Sequence, residues 1–195
     1  MTDAFPTWIE SLTTGEQQRL AGIIILAVLL LLLYLFRDSL RHWRESRQIR
    51  RAAKRLGARM LRNVRLPDGM GGETSIDYLA LASGAVLVIG VKRYDGLIFG
   101  STRTDEWTQV INGRSYKFPN PDAGLLRQIG AVRVIVPGIP VRGLHLFTDN
   151  AVFPKDKPPN VLQVKDLRGS IRRPRLKDIP ADLQTAWTQL THSLE

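Results

Sequence analysis

The predicted fold is built around the segment Thr74–Gly96, TSIDYLALASGAVLVIGVKRYDG. Two apolar runs, Thr74–Ala82 and Ala85–Lys92, are separated by Ser83-Gly84, a dipeptide typical of a tight turn. The second run is continuously apolar and rich in β-branched residues, as expected of a strand that is buried on both faces. The segment therefore predicts two neighbouring strands with a buried second strand.

Short strands and helices are predicted on both sides of this segment. Asn112-Gly113 is a strong signal for a hairpin turn, and a helix over Asp122–Val134 is ended by Pro137. The strands are predicted at MLRNVRL (60–66), LIFG (97–100), EWTQVI (106–111), RSYKF (114–118), GLHLF (143–147) and NVLQV (160–164), and an amphipathic helix at PADLQTAWTQLTHSL (180–194). This order predicts an α/β or α+β fold in which helices flank one mixed sheet.

An uncharged run of seventeen residues, Leu20–Phe36, precedes the strands. As a helix it would be about 25 Å long, slightly short for a hydrocarbon core of roughly 30 Å, and Arg19 and Arg37 could extend to the headgroups. A buried core helix is disfavoured because the run is apolar on every side. A cleavable signal peptide is disfavoured because the preceding residues are acidic. The run predicts a single transmembrane helix.

The net charge of +10 is concentrated directly after this run. Arg37–Arg65 contains eleven bases and two acids, a net charge of +9, whereas Met1–Phe36 has a net charge of −2. Lys and Arg near the end of a span favour the cytoplasmic side. The N-terminal tail is therefore predicted outside and the remainder in the cytoplasm, as in a bacterial inner-membrane protein.

The basic segment is predicted to continue as a helix to Arg62, because it lacks proline and contains good helix formers. Its bases fit two partners, anionic lipid headgroups or the phosphates of DNA or RNA. The residues predicted to contact phosphate are Arg47, Arg50, Arg51, Lys54 and Arg55. The two interpretations are compatible, and the partner protein, if any, is unknown at this stage.

Several kinds of site are excluded by composition and motif. The chain has no cysteine, which rules out disulfides, thiol nucleophiles and cysteine-bound zinc. Its three histidines, His42, His145 and His192, are too far apart in sequence for a local metal motif. Gly69–Gly72 lacks the lysine of a phosphate-binding loop, and no serine lies in a G-x-S-x-G motif.

A series of short motifs over roughly residues 59–167 resembles the NERD (nuclease-related) domain family. The motifs are Ile76-Asp77, Gly84–Gly96, Ile98-Phe99-Gly100, Glu106–Gln109, Tyr116–Phe118, Asn120-Pro121 and GLHLFTDNAVF (143–153). The resemblance implies a PD-(D/E)xK nuclease-like fold. It also implies phosphodiester hydrolysis assisted by Mg²⁺ or Mn²⁺, in which two carboxylates on adjacent strands hold the metal and a lysine orients or activates water.

By this resemblance Asp77 corresponds to the first carboxylate and Lys92 to the lysine, but the second acid is replaced by Gly90. Residues 90 and 92 share one face of a strand, so the missing side chain removes a ligand and Asp77 alone makes a poor magnesium site. The domain is therefore predicted to be catalytically weak or inactive. Gln109, Gln128 and Glu73 are the predicted supporting residues.

Two alternatives remain open for this site. An acid could have moved to another position, with Glu45, Glu73, Asp95 and Glu106 as the available residues. Otherwise Asp77 and Lys92 remain as a structural ion pair. The aromatic residues Trp107, Tyr116 and Phe118 are predicted to pack in the core or in the hairpin rather than to stack on bases.

These observations predict five segments: an outer tail (1–19), a transmembrane helix (20–36), a basic juxtamembrane helix (37–58), a NERD-like domain (59–168) and a basic linker with a C-terminal helix (169–195). The predicted function is that of a membrane-anchored domain that binds nucleic acid and, if the metal site is intact, hydrolyses it. The alternative is a catalytically inactive interaction module tethered to the membrane.

Overall fold

The computed structural model describes residues 14–69, 71–169 and 172–194. The chain divides into two compact units, Met1–Glu45 and Ser46–Glu195. Most of the predicted outer tail, residues 1–13, lies outside the described residues. The second unit contains every strand among the described residues and carries the residues discussed below.

Helix α1 spans Thr14–Leu56 and contains both the apolar run and the basic segment. Its portion Ala21–Leu56 is long and apolar enough to cross a membrane, and the most apolar window is not buried in the protein. The prediction that this helix continues to Arg62 is wrong. The chain passes so close to the neighbouring strand at Gly57 that a Cβ there would lie 2.8 Å from the carbonyl oxygen of Leu81, and strand β1 begins two residues later.

The larger sheet has five strands in the order β1-β2-β3-β7-β9. The strands span Arg59–Pro67 (β1), Glu73–Leu81 (β2), Val86–Lys92 (β3), Val141–Phe147 (β7) and Val161–Gln163 (β9). β1, β2 and β3 are antiparallel, whereas β3, β7 and β9 run parallel. The predicted pairing of the two runs around Ser83-Gly84 is thus confirmed, and β3 lies at the centre of the sheet.

A second sheet corrects the prediction of one mixed sheet. It contains Arg114–Pro119 (β6), Glu106–Ile111 (β5), Gly96–Phe99 (β4) and Ala151–Val152 (β8), in the order β6-β5-β4-β8. The chain leaves the first sheet after β3 and turns at Gly96, whose φ is +84°. A Cβ at this residue would lie within contact distance of the Val110 carbonyl, so the turn requires glycine.

Helices cover both faces of the five-stranded sheet. Helix α2 (Asp122–Ile135) and helix α3 (Ala181–His192) share a core with one face, while the last turns of α1 share a core with the other. α2 approaches β7 closely at Gly143, where a Cβ would lie 2.7 Å from side-chain atoms of Leu125 and Ile129. Two short 3₁₀ helices, Val164–Leu167 and Leu176–Asp178, complete the unit.

Candidate functional site at the ends of strands β3 and β7

The predicted residues Asp77, Gly90 and Lys92 lie on neighbouring strands of the larger sheet. Tyr78 pairs with Ile89, so Asp77 on β2 comes next to Gly90 on β3 in the antiparallel register. Gly90 and Lys92 alternate with the residues that face α1, and therefore point to the face that α2 covers. The structure thus brings these three residues together at one end of the sheet, with Gly90 and Lys92 on the face that α2 covers.

The carboxylate of Asp77 has a structural partner. Its Oδ2 accepts a hydrogen bond of 2.7 Å from the backbone N–H of Val91, beyond the last paired residues of β2 and β3. Among the ion pairs of the described residues, none joins Asp77 to Lys92. The exposed Asp77 therefore retains one carboxylate oxygen that no hydrogen bond among the described residues occupies.

A histidine lies beside Gly90 on the other side. His145 of β7 is paired with Gly90 in the parallel register and is 1% exposed. Its Nε2 lies 2.8 Å from Oδ1 of Asp122, at the start of α2. The same oxygen accepts a 2.6 Å hydrogen bond from Nδ2 of Asn160. Asp122 thereby holds the buried His145 and the half-buried Asn160 near the carboxyl ends of β3 and β7.

Burial lowers the pKa of His145 below its ordinary value, and the positive charge of Lys92 acts in the same direction, although Asp122 partly opposes both effects. The ring is therefore neutral near pH 7. Since an ionised carboxylate only accepts hydrogen bonds, Nε2 carries the proton that points to Asp122. Nδ1 is then left with a lone pair.

This lone pair faces the position where Gly90 lacks a side chain. An ideal Cβ on Gly90 would lie 3.4 Å from Nδ1 of His145, and the next contact, with Cε1, is at 4.0 Å. Nδ1 is buried and, among the described residues, has no hydrogen-bond partner. Among the described residues, the other buried side-chain atom without a hydrogen-bond partner is Oδ1 of Asn160. Both atoms therefore belong to residues bound by Asp122.

Two of the predicted supporting residues bond to the backbone. Gln128 donates a hydrogen bond of 2.7 Å to the carbonyl of Ser75 and so joins α2 to β2. Gln109 donates a hydrogen bond to the carbonyl of Asp95. Glu106 is paired with Lys117 in the second sheet. Glu45 belongs to the other unit, and Glu73 lies four residues before Asp77, about 13 Å along the strand.

The donor atoms at this site differ from the pair of carboxylates that the resemblance implies for Mg²⁺. No group of three or more metal-binding side chains (His, Cys, Asp or Glu) is found within the part of the chain that the structure describes. Asp77 supplies one carboxylate, and a histidine nitrogen faces the position of the second. Mg²⁺ prefers oxygen ligands, so this donor set does not fit it.

Sequence reasoning missed His145 because its two partners are distant along the chain. Asp122 precedes it by 23 residues and Asn160 follows it by 15, and only the parallel pairing of β3 with β7 places it beside Gly90. A signal was nevertheless present, because a polar histidine interrupts the apolar strand GLHLF. Such a residue needs a buried partner.

The basic residues of the last turns of α1 form an exposed surface of the second unit. Ile49, Ala52, Ala53 and Leu56 are buried against the sheet. The exposed residues, which we call the α1 basic face, are Arg47, Arg50, Arg51, Lys54 and Arg55. Arg51 and Arg55 line a cavity of about 310 Å³ together with Arg168. Three arginines thus line one cavity, of which Arg55 donates to the carbonyl of Leu167 at 3.0 Å and Arg168 pairs with Asp149 at 2.6 Å.

Positive charge of the α1 basic face also acts on Tyr78, a residue of the sheet next to Asp77. Burial raises the pKa of the Tyr78 hydroxyl above its ordinary value, while the positive charges of Arg62, Arg93 and Arg50 oppose the increase. Tyr78 neighbours Asp77, whose negative charge acts on the same hydroxyl. Positive charge therefore extends from α1 across β1 towards the end of β3.

The aromatic residues have different roles. Trp107 is fully buried and stacks on Phe147, with ring centroids 6.2 Å apart. Phe118 stacks on Tyr94 at 4.6 Å. Both therefore pack inside the protein as predicted, whereas Tyr116 lies in the β5–β6 hairpin, paired with Gln109, and is 48% exposed.

Comparison with known proteins gives a family match. The profile of the NERD (nuclease-related domain) family matches residues 41–148. An uncharacterized protein of Bacillus anthracis is 28% identical over 120 residues, which cover 58% of this chain and 57% of that protein. The chain thus spans little more than half the length of this relative. No solved structure matches significantly.

Proposed function

Because this chain belongs to the NERD nuclease-related domain family, we propose that it is a single-pass protein of the bacterial inner membrane whose cytoplasmic domain binds nucleic acid. The observation that carries this function is the α1 basic face, with Arg51 and Arg55 gathered around one cavity. Guanidinium groups are suited to phosphate, because their planar N–H donors match its oxygens.

Membrane anchoring is supported by the apolar part of α1. The exposed large hydrophobic residues include Leu26, Leu29 and Leu33, all at least half exposed. A solvent-exposed apolar surface of this kind needs a covering environment, and a bilayer provides one. The dense basic segment that follows indicates that the second unit lies in the cytoplasm.

A reporter that is active only in the cytoplasm, fused after Glu195, is expected to give a signal. The physical reason is the net charge of +9 in Arg37–Arg65 against −2 in Met1–Phe36, which favours retention of the C-terminal flank inside. The matched measurement uses a reporter active only in the periplasm at the same position. A signal from that second fusion would show the opposite orientation.

The proposal is binding without Mg²⁺-dependent cleavage. Asp77, next to Gly90 in the register, supplies one carboxylate, and Mg²⁺ needs oxygen ligands in near-octahedral geometry. When bound in a site of this fold, such an ion would offset negative charge that develops on a phosphate. Lys92, which lies on the same face as Gly90, would instead contribute a fixed positive charge for a bound phosphate.

Binding to a labelled DNA or RNA oligonucleotide is expected to weaken steeply as salt increases. Each neutralised phosphate of duplex DNA contributes about 0.9 to the slope of log affinity against log salt, so five basic contacts predict a slope of about −4 to −5. Replacing Arg50, Arg51 and Lys54 with glutamine should reduce the magnitude of this slope by up to about 2.7. The measurement is fluorescence anisotropy of the full chain in a neutral detergent.

The matched control replaces three exposed bases of the other sheet and its loops, Arg103, Arg114 and Lys155, with glutamine. This variant has the same change in net charge and should keep the wild-type slope. An equal loss in both variants would show that binding follows net charge rather than the α1 basic face. Absence of binding to either nucleic acid at about 50 mM salt would contradict the function itself.

A further inference from the structure

Three arginines from three different elements lie near Tyr78, on the face of the larger sheet that α1 covers. They are Arg50 of α1, Arg62 of β1 and Arg93, which directly follows β3, and we call them the Tyr78 arginine cluster. We propose that this cluster binds the terminal phosphate, a phosphomonoester, of a nucleic-acid strand. The inference rests on the proposed nucleic-acid binding and adds which part of the strand the domain recognises.

The register of the larger sheet places two of these arginines on the face of Tyr78. Arg62 is paired with Tyr78 in the antiparallel register of β1 and β2, and the Cα atoms of such pairs are about 4.5–5.5 Å apart. On the other side, Tyr78 is paired with Ile89 of β3, and Arg93 follows Ile89 by four residues. Because side chains alternate between faces along a strand, this even separation keeps Arg93 on the face of Ile89.

Helix α1 supplies the third arginine. Ile49 is 1% exposed and packs in the same core cluster as Tyr78, so the adjacent Arg50, which is exposed, leaves the helix beside this contact. Burial raises the pKa of the Tyr78 hydroxyl, and the positive charges of all three arginines oppose this increase. The shared face and the common effect on one hydroxyl therefore place the three side chains in one neighbourhood.

The described residues leave the donors of this cluster without an acceptor. None of the ion pairs among them includes an arginine of the cluster. Tyr78 is 7% exposed, and its hydroxyl has no hydrogen-bond partner within the described part of the chain. This hydroxyl is not one of the two enclosed atoms that lack a partner, so it reaches the surface. A buried phenol thus directs an open donor towards the position that the three arginines share.

The charge of the cluster favours a phosphomonoester over a phosphodiester. The three guanidinium groups are opposed by the carboxylate of Asp77, which also acts on the Tyr78 hydroxyl, so two positive charges remain in excess. A phosphodiester within a strand carries one negative charge, whereas a phosphomonoester carries about −1.5 to −2 near pH 7 and has three strong acceptor oxygens. Guanidinium and phenol groups offer N–H and O–H donors to these oxygens. The terminal phosphate of a strand is therefore the better match.

The remainder of such a strand can follow the α1 basic face. Lys54 comes four residues after Arg50, which places both on the same side of the helix, and both are exposed. Contacts of this face with internal phosphates do not depend on Arg62 or Arg93. Loss of these two arginines should therefore remove the added affinity for a terminal phosphate and preserve binding to a strand that lacks one.

The test compares short single-stranded DNAs of one sequence that carry a 5′-phosphate, a 3′-phosphate or a hydroxyl at both ends, each with a fluorophore at the other end. Anisotropy is measured with the full chain in a neutral detergent. A phosphate at one of the ends is expected to raise the affinity roughly 10–100-fold, the effect of hydrogen bonds to a charged group. A strand that is one nucleotide longer, with hydroxyl ends, controls for net charge and should bind nearly as the shorter hydroxyl strand does.

The outcomes separate this inference from the proposed function. Equal affinities for the phosphorylated strands and the hydroxyl strand would overturn the inference and leave nucleic-acid binding intact. Absence of binding to every strand would contradict the proposed function, and the inference with it.

Three variants localise the terminal phosphate. The double variant Arg62→Gln, Arg93→Gln should lose most of the preference for the phosphorylated strand and still bind the hydroxyl strand. Arg103→Gln, Arg114→Gln, at exposed positions of the second sheet and its loops, is the matched control with the same change in net charge and should keep the preference. Tyr78→Phe retains the buried ring and should reduce the preference severalfold. An unchanged preference in the first variant, or an equal loss in the control, would overturn the inference.

A competition experiment distinguishes the end of a strand from a free nucleotide. Adenosine 5′-monophosphate and inorganic phosphate are titrated into the complex with the phosphorylated strand at constant ionic strength. Both should compete far more weakly than the unlabelled phosphorylated strand, because neither can contact the α1 basic face. Competition by the mononucleotide as strong as that by the strand would assign the cluster to a free nucleotide and overturn the inference. Circular dichroism of each variant verifies the fold.

Discussion

Trp107→Ala is expected to lower the free energy of unfolding of the second unit by about 3–5 kcal/mol. Trp107 is fully buried between the two sheets, where it stacks on Phe147 and meets Phe118 edge-on, with centroids 6.2 Å apart in each case. Its indole N–H donates to the Ser101 carbonyl at 3.0 Å. Truncation would remove these contacts and leave a cavity that the rigid sheets cannot fill.

The backbone around this residue shows how closely it is packed. A Cβ on Gly100 would overlap the indole ring, so the chain crosses the face of Trp107 at van der Waals distance. Because glycine is required for this approach, the pocket is shaped for the indole. A smaller side chain would therefore lose contacts without any compensating movement of the chain.

The measurement is hydrogen exchange of the full chain in detergent, followed at β3, where exchange reports global opening. A loss of about 3–5 kcal/mol corresponds to an increase in exchange of roughly two to four orders of magnitude. Tyr116→Ala is the matched control, since this aromatic residue lies on the adjacent strand β6 but is 48% exposed. Equal effects of the two substitutions would contradict the packing described for Trp107.

Local patterns predicted helices α2 and α3 and every described strand except the two-residue β8. The pairing of β2 with β3 follows from two apolar runs and a two-residue turn, and these signals act over a few residues. The boundary of α1 was not predictable in this way. Helix propensity favours continuation past Leu56, but the contact of Gly57 with Leu81 on β2 ends the helix. Tertiary packing overrides local preference there.

The same distinction applies to the site. Asp77, Gly90 and Lys92 lie in adjacent strands joined by a short turn, so their proximity could be predicted from sequence. His145 lies on β7, which follows β4, β5, β6 and α2 along the chain, and it is brought beside Gly90 only by the pairing of β7 with β3. This long-range parallel pairing depends on the order of the strands in space, which alternation patterns do not specify.

Asp122→Ala is expected to destabilise the second unit by about 2–6 kcal/mol, whereas Asp122→Asn should be nearly neutral. Alanine would leave two donors, the buried Nε2–H of His145 and the half-buried Nδ2 of Asn160, without an acceptor, at a cost of about 1–3 kcal/mol each. Both hydrogen bonds end on the single atom Oδ1 of Asp122. Asparagine can place its own Oδ1 there and preserve both.

The measurement is again hydrogen exchange at β3, at about pH 8, where His145 is neutral in the folded and the unfolded chain. The choice of pH matters because the folded-state pKa of His145 lies below its ordinary value of 6.5. As pH falls through this value, the unfolded chain takes up the proton first, and the free energy of unfolding decreases. At a pH above 6.5 the measured change in free energy of unfolding reports the loss of the hydrogen-bond acceptor and not the titration of His145. If asparagine were as destabilising as alanine, the negative charge of Asp122, rather than its two hydrogen bonds, would hold His145 and Asn160 in place.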